Sequence, residues 1–306
     1  MPDFYPITTI QPEWVLKPEA LGSKRKFWYR QANGESDWLF KYPEQNTGQH
    51  WAEKIATEIA ALLDISHARV DLAIFQGNRG STTESFMRDG QSLFHGNQIM
   101  AGHVFGYDPK VRRFQQSHHT LDNIFLALDK TFATPEGALK AKTHFADYLV
   151  LDAVIGNTDR HHENWGILLK QDGNHWVGNL APTFDHASSL GRELLDESKR
   201  KQCRRWLLDE NQVGSYAEKA PGAIYQDKQD KQDKKDRKVS PLALVRWAAE
   251  LHPEIFRPAL DRVKRLDKIS MEKIVRQVPE DWMNPLERRF SVEFMCYSAA
   301  ELRRIS

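Results

Sequence analysis

Only two cysteines, Cys203 and Cys296, occur in the 306 residues. That is too few for a disulfide framework or a four-cysteine zinc site, and it points to a reduced, cytoplasmic setting. No apolar run approaches the length of a membrane span. Met1 to Pro18 has no basic flank leading into an apolar core, so no secretory signal is read there. The formal net charge is +1, so bulk charge argues for neither nucleic acid nor membrane as a partner. The G-x-G-x-x-G and Walker phosphate-binding signatures are both missing, and no internal repeat stands out. What is present is 40% hydrophobic and 28% charged, the balance of a soluble globular chain long enough for two lobes or one large domain.

The most informative stretch is Val154-Ile155-Gly156-Asn157-Thr158-Asp159-Arg160-His161-His162-Glu163-Asn164-Trp165-Gly166-Ile167-Leu168-Leu169. It leaves an apolar helix, passes through a polar loop and enters an apolar strand. A second acidic turn follows after a hairpin, Pro182-Thr183-Phe184-Asp185-His186. Phosphoryl transfer needs a carboxylate to orient the attacking hydroxyl, and an amide oxygen with a second carboxylate to hold Mg²⁺ on the phosphates. Asp159 and Asn164 have the spacing of the kinase catalytic loop, four residues apart in between. Asp159 is therefore read as the catalytic carboxylate, with Asn164 and Asp185 as metal ligands. An N-cap Asp is the plainer alternative for Asp159, but no helical pattern follows it.

Upstream, Leu21 to Arg30 reads as strand material opening on a Gly22-Ser23 turn whose backbone N–H groups could cradle phosphate. Asn33-Gly34 signals a hairpin, and Asp37 to Pro43 is the return strand. Alternation places Lys41 beside Leu39, so its amine can project into a cleft. His50 to Leu63 is an amphipathic helix carrying Glu53 and Glu58, with Glu58 read as solvated. Val70 to Phe75 and Ser81 to Met87 are two antiparallel strands around Gly77 to Gly80, the second leading toward a hinge at Ser85, Phe86 and Met87. From Gly90 the chain turns helical and loop-rich. Ser92 to Asn97 reads as polar punctuation, Thr120 to Leu128 as a short helix, and Pro135 to Val154 as a long helix with Leu139, Phe145, Tyr148, Leu149 and Ala153 apolar. A further helical region begins after Asp185. Asp227 to Lys238 is low-complexity and nearly charge-balanced, read as an exposed mobile loop. Leu242 to His252, Pro253 to Leu266, Ser270 to Gln277 and Pro285 to Ile305 are helical. The whole is an α+β chain: a small antiparallel-sheet lobe with one helix over residues 1–88, then a larger, mainly helical lobe over 89–306.

His161 and His162, with Asp159, Glu163, Asp185 and His186 nearby, also raise a metallohydrolase centre. Adjacent residues on a loop seldom both ligate one ion, and no H-x-x-x-H helical spacing places two imidazoles on one face. His161 is assigned to supporting the catalytic loop by hydrogen bonding. His162, His118 and His119 are read as surface residues.

These residues resemble the HipA-like family of bacterial serine/threonine kinases, whose core is distantly similar to that of phosphoinositide 3/4-kinases. The resemblance rests on IGNTDRHHENWGILL, on LAPTFDHASSLG (Leu180 to Gly191) and on PEDWMNPLERRF (Pro279 to Phe290). It implies a two-lobed, protein-kinase-like fold using ATP and Mg²⁺. Asp159 would be the catalytic aspartate, Asn164 and Asp185 the magnesium ligands, Lys41 the ATP-phosphate lysine and Glu53 its helix partner. Phe86 and Met87 would form the hinge, and Ser23 would be the nearest candidate for autophosphorylation. The resemblance also implies a protein serine or threonine acceptor, such as an aminoacyl-tRNA synthetase, and a helix-turn-helix antitoxin partner. Little more than twenty residues precede Gly22, so the chain resembles the short, kinase-core members, some of which have a separate small protein in place of an N-terminal subdomain. Two alternatives stay open: a non-catalytic pseudokinase-like interaction protein, and a kinase acting on a lipid or small-molecule alcohol.

Overall fold

Six short strands alternate side chains between two buried faces and build one curled sheet. The computed structural model describes residues 4–18, 25–112, 115–173, 175–194, 210–226 and 237–305. The strands are β1 (Ile7–Ile10), β2 (Val15–Pro18), β3 (Lys26–Tyr29), β4 (Trp38–Lys41), β5 (Val70–Phe75) and β6 (Asn78–Glu84), in the order β1-β5-β6-β4-β3-β2. All pairings are antiparallel except that of β1, which runs parallel to β5 at the sheet edge. Phe27, Tyr29, Trp38, Phe40, Ala73 and Phe75 bury one face as a small aromatic core, closed by Trp14, Val15 and Tyr42. The opposite face receives α1 (Gln49–Leu62), whose Trp51, Ile55 and Ile59 recur at helical spacing and are fully buried.

The expected turn at Gly77 to Gly80 closes earlier. Gln76 and Gly77 both take positive φ (48° and 76°), the pairing that a two-residue hairpin needs. Asn78 is already opposite Phe75, so Asn78 to Gly80 belong to β6.

A second sheet contains β7 (Gln91–His95), β8 (Gly166–Asp172) and β9 (His175–Leu180), antiparallel throughout. Ser92 to Asn97, expected as polar punctuation, is instead β7 running into α2 (Gly96–His103). Partial exposure of both faces of β7 lets polar residues stand where apolar alternation would mark a strand. The remaining elements are α3 (Leu121–Thr131), α4 (Pro135–Ile155), α5 (Glu210–Lys219), the short pair β10 (Tyr225–Gln226) and β11 (Arg237–Lys238), α6 (Pro241–Leu251), α7 (Pro253–Val263), α8 (Lys268–Arg276) and α9 (Pro285–Arg303). Of the expected charged loop, residues 227–236 lie outside the described residues, as do Gly22 and Ser23; Arg237 and Lys238 are strand.

Helix α4 is the axis of this second part. Every residue from Phe145 to Ile155 is buried, as befits a helix packed by neighbours on all sides: α3, α6, α7 and α9 lie against it. Leu139, expected on its packed side, is 48% exposed because it precedes that enclosed stretch. The sheet unit is tied to the helical part behind the cleft. Tyr5 N–H donates to Gln277 O (2.7 Å), and Arg79 Nη2 lies 2.5 Å from Asp281 Oδ2 with its guanidinium over Trp282. Among the described residues no helix is long and apolar enough to cross a membrane.

Candidate active site

The site begins where α4 ends. Gly156 takes φ 65°, a left-handed conformation suited to glycine, and its N–H closes on Asp152 O. The chain then leaves as an irregular loop held against the turn after Asp185: Thr158 N–H donates to Ser188 O (3.2 Å) and Leu190 N–H to Ile155 O (2.9 Å).

Arg160 is the staple of this arrangement. Its Nε and Nη2 each donate to the Asp152 carboxylate at 2.8 Å. Its Nη1 donates to Asn164 O (2.6 Å) and Phe184 O (3.1 Å), and Nη2 also reaches Thr183 Oγ1 (3.0 Å). One guanidinium thereby joins helix end, loop and second acidic turn. Burial alone would lower its pKa, but the Asp152 carboxylate outweighs that and holds it above its ordinary value. Inspection of the sequence passed over Arg160; the signal available was a cation inside an otherwise apolar-flanked motif.

Around this staple the expected residues converge. Asp159 N–H donates to Asn157 Oδ1 (3.1 Å), and Ser188 Oγ donates to Asp159 Oδ2 (3.3 Å). Asn164 donates from its amide nitrogen to Asp159 O (2.8 Å). His161 Nδ1 accepts the Glu163 N–H (3.1 Å), so the ring proton of neutral His161 sits on Nε2, 3.8 Å from Asp159 Oδ1. Asp185 takes φ 58° and faces Lys41, whose Nζ lies 3.3 Å from Asp185 Oδ1 and 3.7 Å from Glu53 Oε2. Burial opposes the charge on Lys41, yet Asp185 and then Glu53 more than offset it, so the amine's pKa lies above its ordinary value. Glu53 is wholly buried behind Lys41, and its Oε1 accepts the His186 N–H (3.0 Å). Burial, reinforced by Arg160, keeps His186 neutral far below the usual histidine range.

Lys41, Asp159, His161, Asn164, Asp185, Phe86 and Met87 line one cleft of about 450 Å³ between the curled sheet and the β7–β8–β9 unit. Glu53 stands one layer behind it. The far end is apolar: Phe184 stacks on Phe86 with ring centroids 5.5 Å apart, and Trp28, Leu39 and Leu93 complete the lining. Lys26, directly opposite Lys41 across β3 and β4, lines the cleft too. Lys26 and Trp28 were missed because cross-strand register is not visible in a single strand's alternation.

Two expectations about histidines are corrected. His162 is buried rather than exposed, with its Nδ1 hydrogen-bonded to the Tyr107 hydroxyl. His119 is also buried, between Trp165 and Ala223; His118 is half-buried. Both rings are buried under the loop by the tertiary packing of distant segments. His161, His162 and Glu163 do bring ligand-capable atoms within 4.8 Å of one another. The Nδ1 atoms of both histidines are already committed, to Glu163 N–H and to Tyr107.

Comparison with known proteins bears on the fold and the family. A serine/threonine-protein kinase of Helicobacter pylori, CtkA, is 29% identical over 107 residues, spanning 35% of this chain and 30% of that one. The crystal structure of a proinflammatory CtkA kinase from Helicobacter pylori superposes with a TM-score of 0.72 at 18% identity, covering 92% of both chains. HipA of Shewanella oneidensis, solved with HipB and operator DNA, gives a TM-score of 0.56 at 14% identity, covering 96% of this chain and 67% of that one. The fold is thus the two-lobed kinase-like one, with a curled sheet followed by a helical region. Residues 17–235 match the HipA-like C-terminal domain, and the chain belongs to that family.

Proposed function

We propose that this protein is an ATP- and Mg²⁺-dependent serine/threonine protein kinase, working as the toxin of a bacterial toxin–antitoxin pair in the cytoplasm. The observation that carries the reading is the convergence in one cleft of Lys41, held between Glu53 and Asp185, with Asp159 and Asn164 on the facing loop. The apolar end formed by Trp28, Leu39, Phe86 and Phe184 suits a purine, and the Lys26/Lys41 pair suits its phosphates. Asn164 Oδ1 and the one-third-exposed Asp185 carboxylate are hard oxygen donors of the kind Mg²⁺ takes. When bound, that ion would neutralise charge developing on the phosphates.

Asp159 then orients the acceptor hydroxyl and receives its proton as the acceptor oxygen bonds the γ-phosphorus in line and the bond from that phosphorus to the β,γ-bridging oxygen breaks, so that ADP leaves. Lys41, fixed by two carboxylates, holds phosphate oxygens without reorganising. His161 presents Nε2–H toward Asp159 and steadies its direction. No covalent enzyme intermediate is needed.

The description of CtkA as a serine/threonine kinase supports a protein acceptor. The HipA structure with HipB and operator DNA supports a DNA-binding antitoxin as a partner. A translation component such as an aminoacyl-tRNA synthetase is the proposed target, Ser23 the proposed autophosphorylation site, and a small N-subdomain-like protein a further proposed partner. Incubation with bacterial lysate and labelled ATP tests the acceptor class. Label recovered as phosphoserine or phosphothreonine in a discrete protein is expected. Label confined to lipid or small-molecule fractions would move the assignment to another alcohol.

A further inference from the structure

Resting on the kinase reading, a second question is what fixes Asn164, the residue whose amide oxygen that reading gives to the metal. Trp165 follows it directly. Its indole is fully buried, edge-on to Phe145 at 5.3 Å, and packs so closely on Gly96 that a Cβ there would lie 2.1 Å from the ring. The indole Nε1–H donates to Nε2 of His119 at 3.1 Å. An indole N–H can only donate, so His119 Nε2 must be the acceptor and its proton must sit on Nδ1. That atom meets Ala223 O at 3.2 Å. One neutral tautomer satisfies both contacts.

The backbone of His119 is pinned as well. Its carbonyl accepts Tyr225 N–H (3.0 Å) and its own N–H donates to Gln116 O (3.1 Å). Its ring lies 6.0 Å from that of His162, whose carbonyl accepts Asn97 N–H at 2.8 Å. A buried imidazole loses hydration that an apolar ring would not need, so simple space-filling gives no reason for one here. The reason on offer is the hydrogen bond to Trp165.

We propose that His119 is a positioning residue for Asn164. By accepting the Trp165 indole proton it fixes the residue next to Asn164, and with it the aim of the amide oxygen at the metal. Groups that hydrogen-bond a metal ligand directly typically change metal affinity by about 10–100-fold, and His119, acting one residue further out, belongs at the low end of that range.

The test uses the full chain, a non-hydrolysable ATP analogue and Mn²⁺ as the probe, with free Mn²⁺ read by electron paramagnetic resonance. His119→Phe should weaken Mn²⁺ binding about 10-fold while analogue binding without metal stays unchanged. His119→Gln, which can accept from the indole and donate to Ala223, should recover most of that loss. Trp165→Phe should match His119→Phe, and the double variant should be no worse than either, since the two act as one unit. Should His119→Phe fail to fold, Trp165→Phe set against His119→Gln decides the matter. Unchanged Mn²⁺ affinity in the variants, additive losses, or a His119→Gln as impaired as Trp165→Phe would overturn the proposal alone. A parent protein that takes up neither analogue nor Mn²⁺ would overturn the kinase reading, and the proposal with it.

Discussion

A guanidinium with 3% side-chain exposure cannot lose its carboxylate, nor the carboxylate its guanidinium, without leaving a charge stranded in the interior. Breaking such a buried pair costs about 3–5 kcal/mol. Arg160→Ala should therefore lower unfolding stability by about that amount, read as a shift in urea midpoint, and stability within about 1 kcal/mol of the parent would contradict the staple role. Buried histidines set the acid limit. His50, desolvated by burial and faced by Arg79, has its pKa lowered from 6.5 to about 4, and burial takes His119 to about 3. Between those values the unfolded chain binds protons that the folded chain does not. The stability that depends on these two neutral histidines is thus complete above about pH 6.5 and falls as pH drops toward 4. At pH 5 His50 alone should cost about 2 kcal/mol. Denaturation midpoints at pH 7 and pH 5 for the parent and His50→Gln check this: the variant should lose less. At this scale the grouping of Asp159, Asn164 and Asp185 about one cleft was legible, because it follows from local spacing. His119 and His162 were not, because burial of a polar ring is decided by segments far away in the chain.

Elements show the same division. Helix α4 was readable from its apolar length, and the glycine that ends it lies inside the motif. Gly156 combines φ 65° with a position where a Cβ would meet the Phe294 ring at 2.5 Å. Gly156→Ala should therefore cost about 1–3 kcal/mol from overpacking and backbone strain together. It should also depress activity beyond that loss, because the loop carrying Asp159 starts there. Thermal melts paired with activity at a temperature where the variant is fully folded separate the two effects; full activity there would contradict the coupling. Strands β1 and β7 were overlooked for different reasons. The β-branched run Ile7-Thr8-Thr9-Ile10 was a usable signal, whereas β7 mixes polar and apolar residues with no buried face.

In the whole molecule, the cleft lies between the curled sheet and the helical part, and contacts behind it join the two. Tyr5 reaches Gln277 and Ile274, Arg79 reaches Asp281, and Trp282 packs against His50. The tail segment Pro279 to Phe290, picked out in the sequence as a family-like motif, thus acts as the rear tie of the cleft rather than as part of its lining. The arrangement brings a cation on the sheet and carboxylates on the helical part within reach of one ligand, and that is the central claim. Transfer of labelled γ-phosphate from ATP·Mg²⁺ to bacterial lysate, by the parent and by Asp159→Asn, tests it most directly. The parent should label a discrete acceptor, and Asp159→Asn should bind nucleotide yet transfer none. Equal transfer by both proteins, or no transfer by a folded, nucleotide-binding parent, would contradict it.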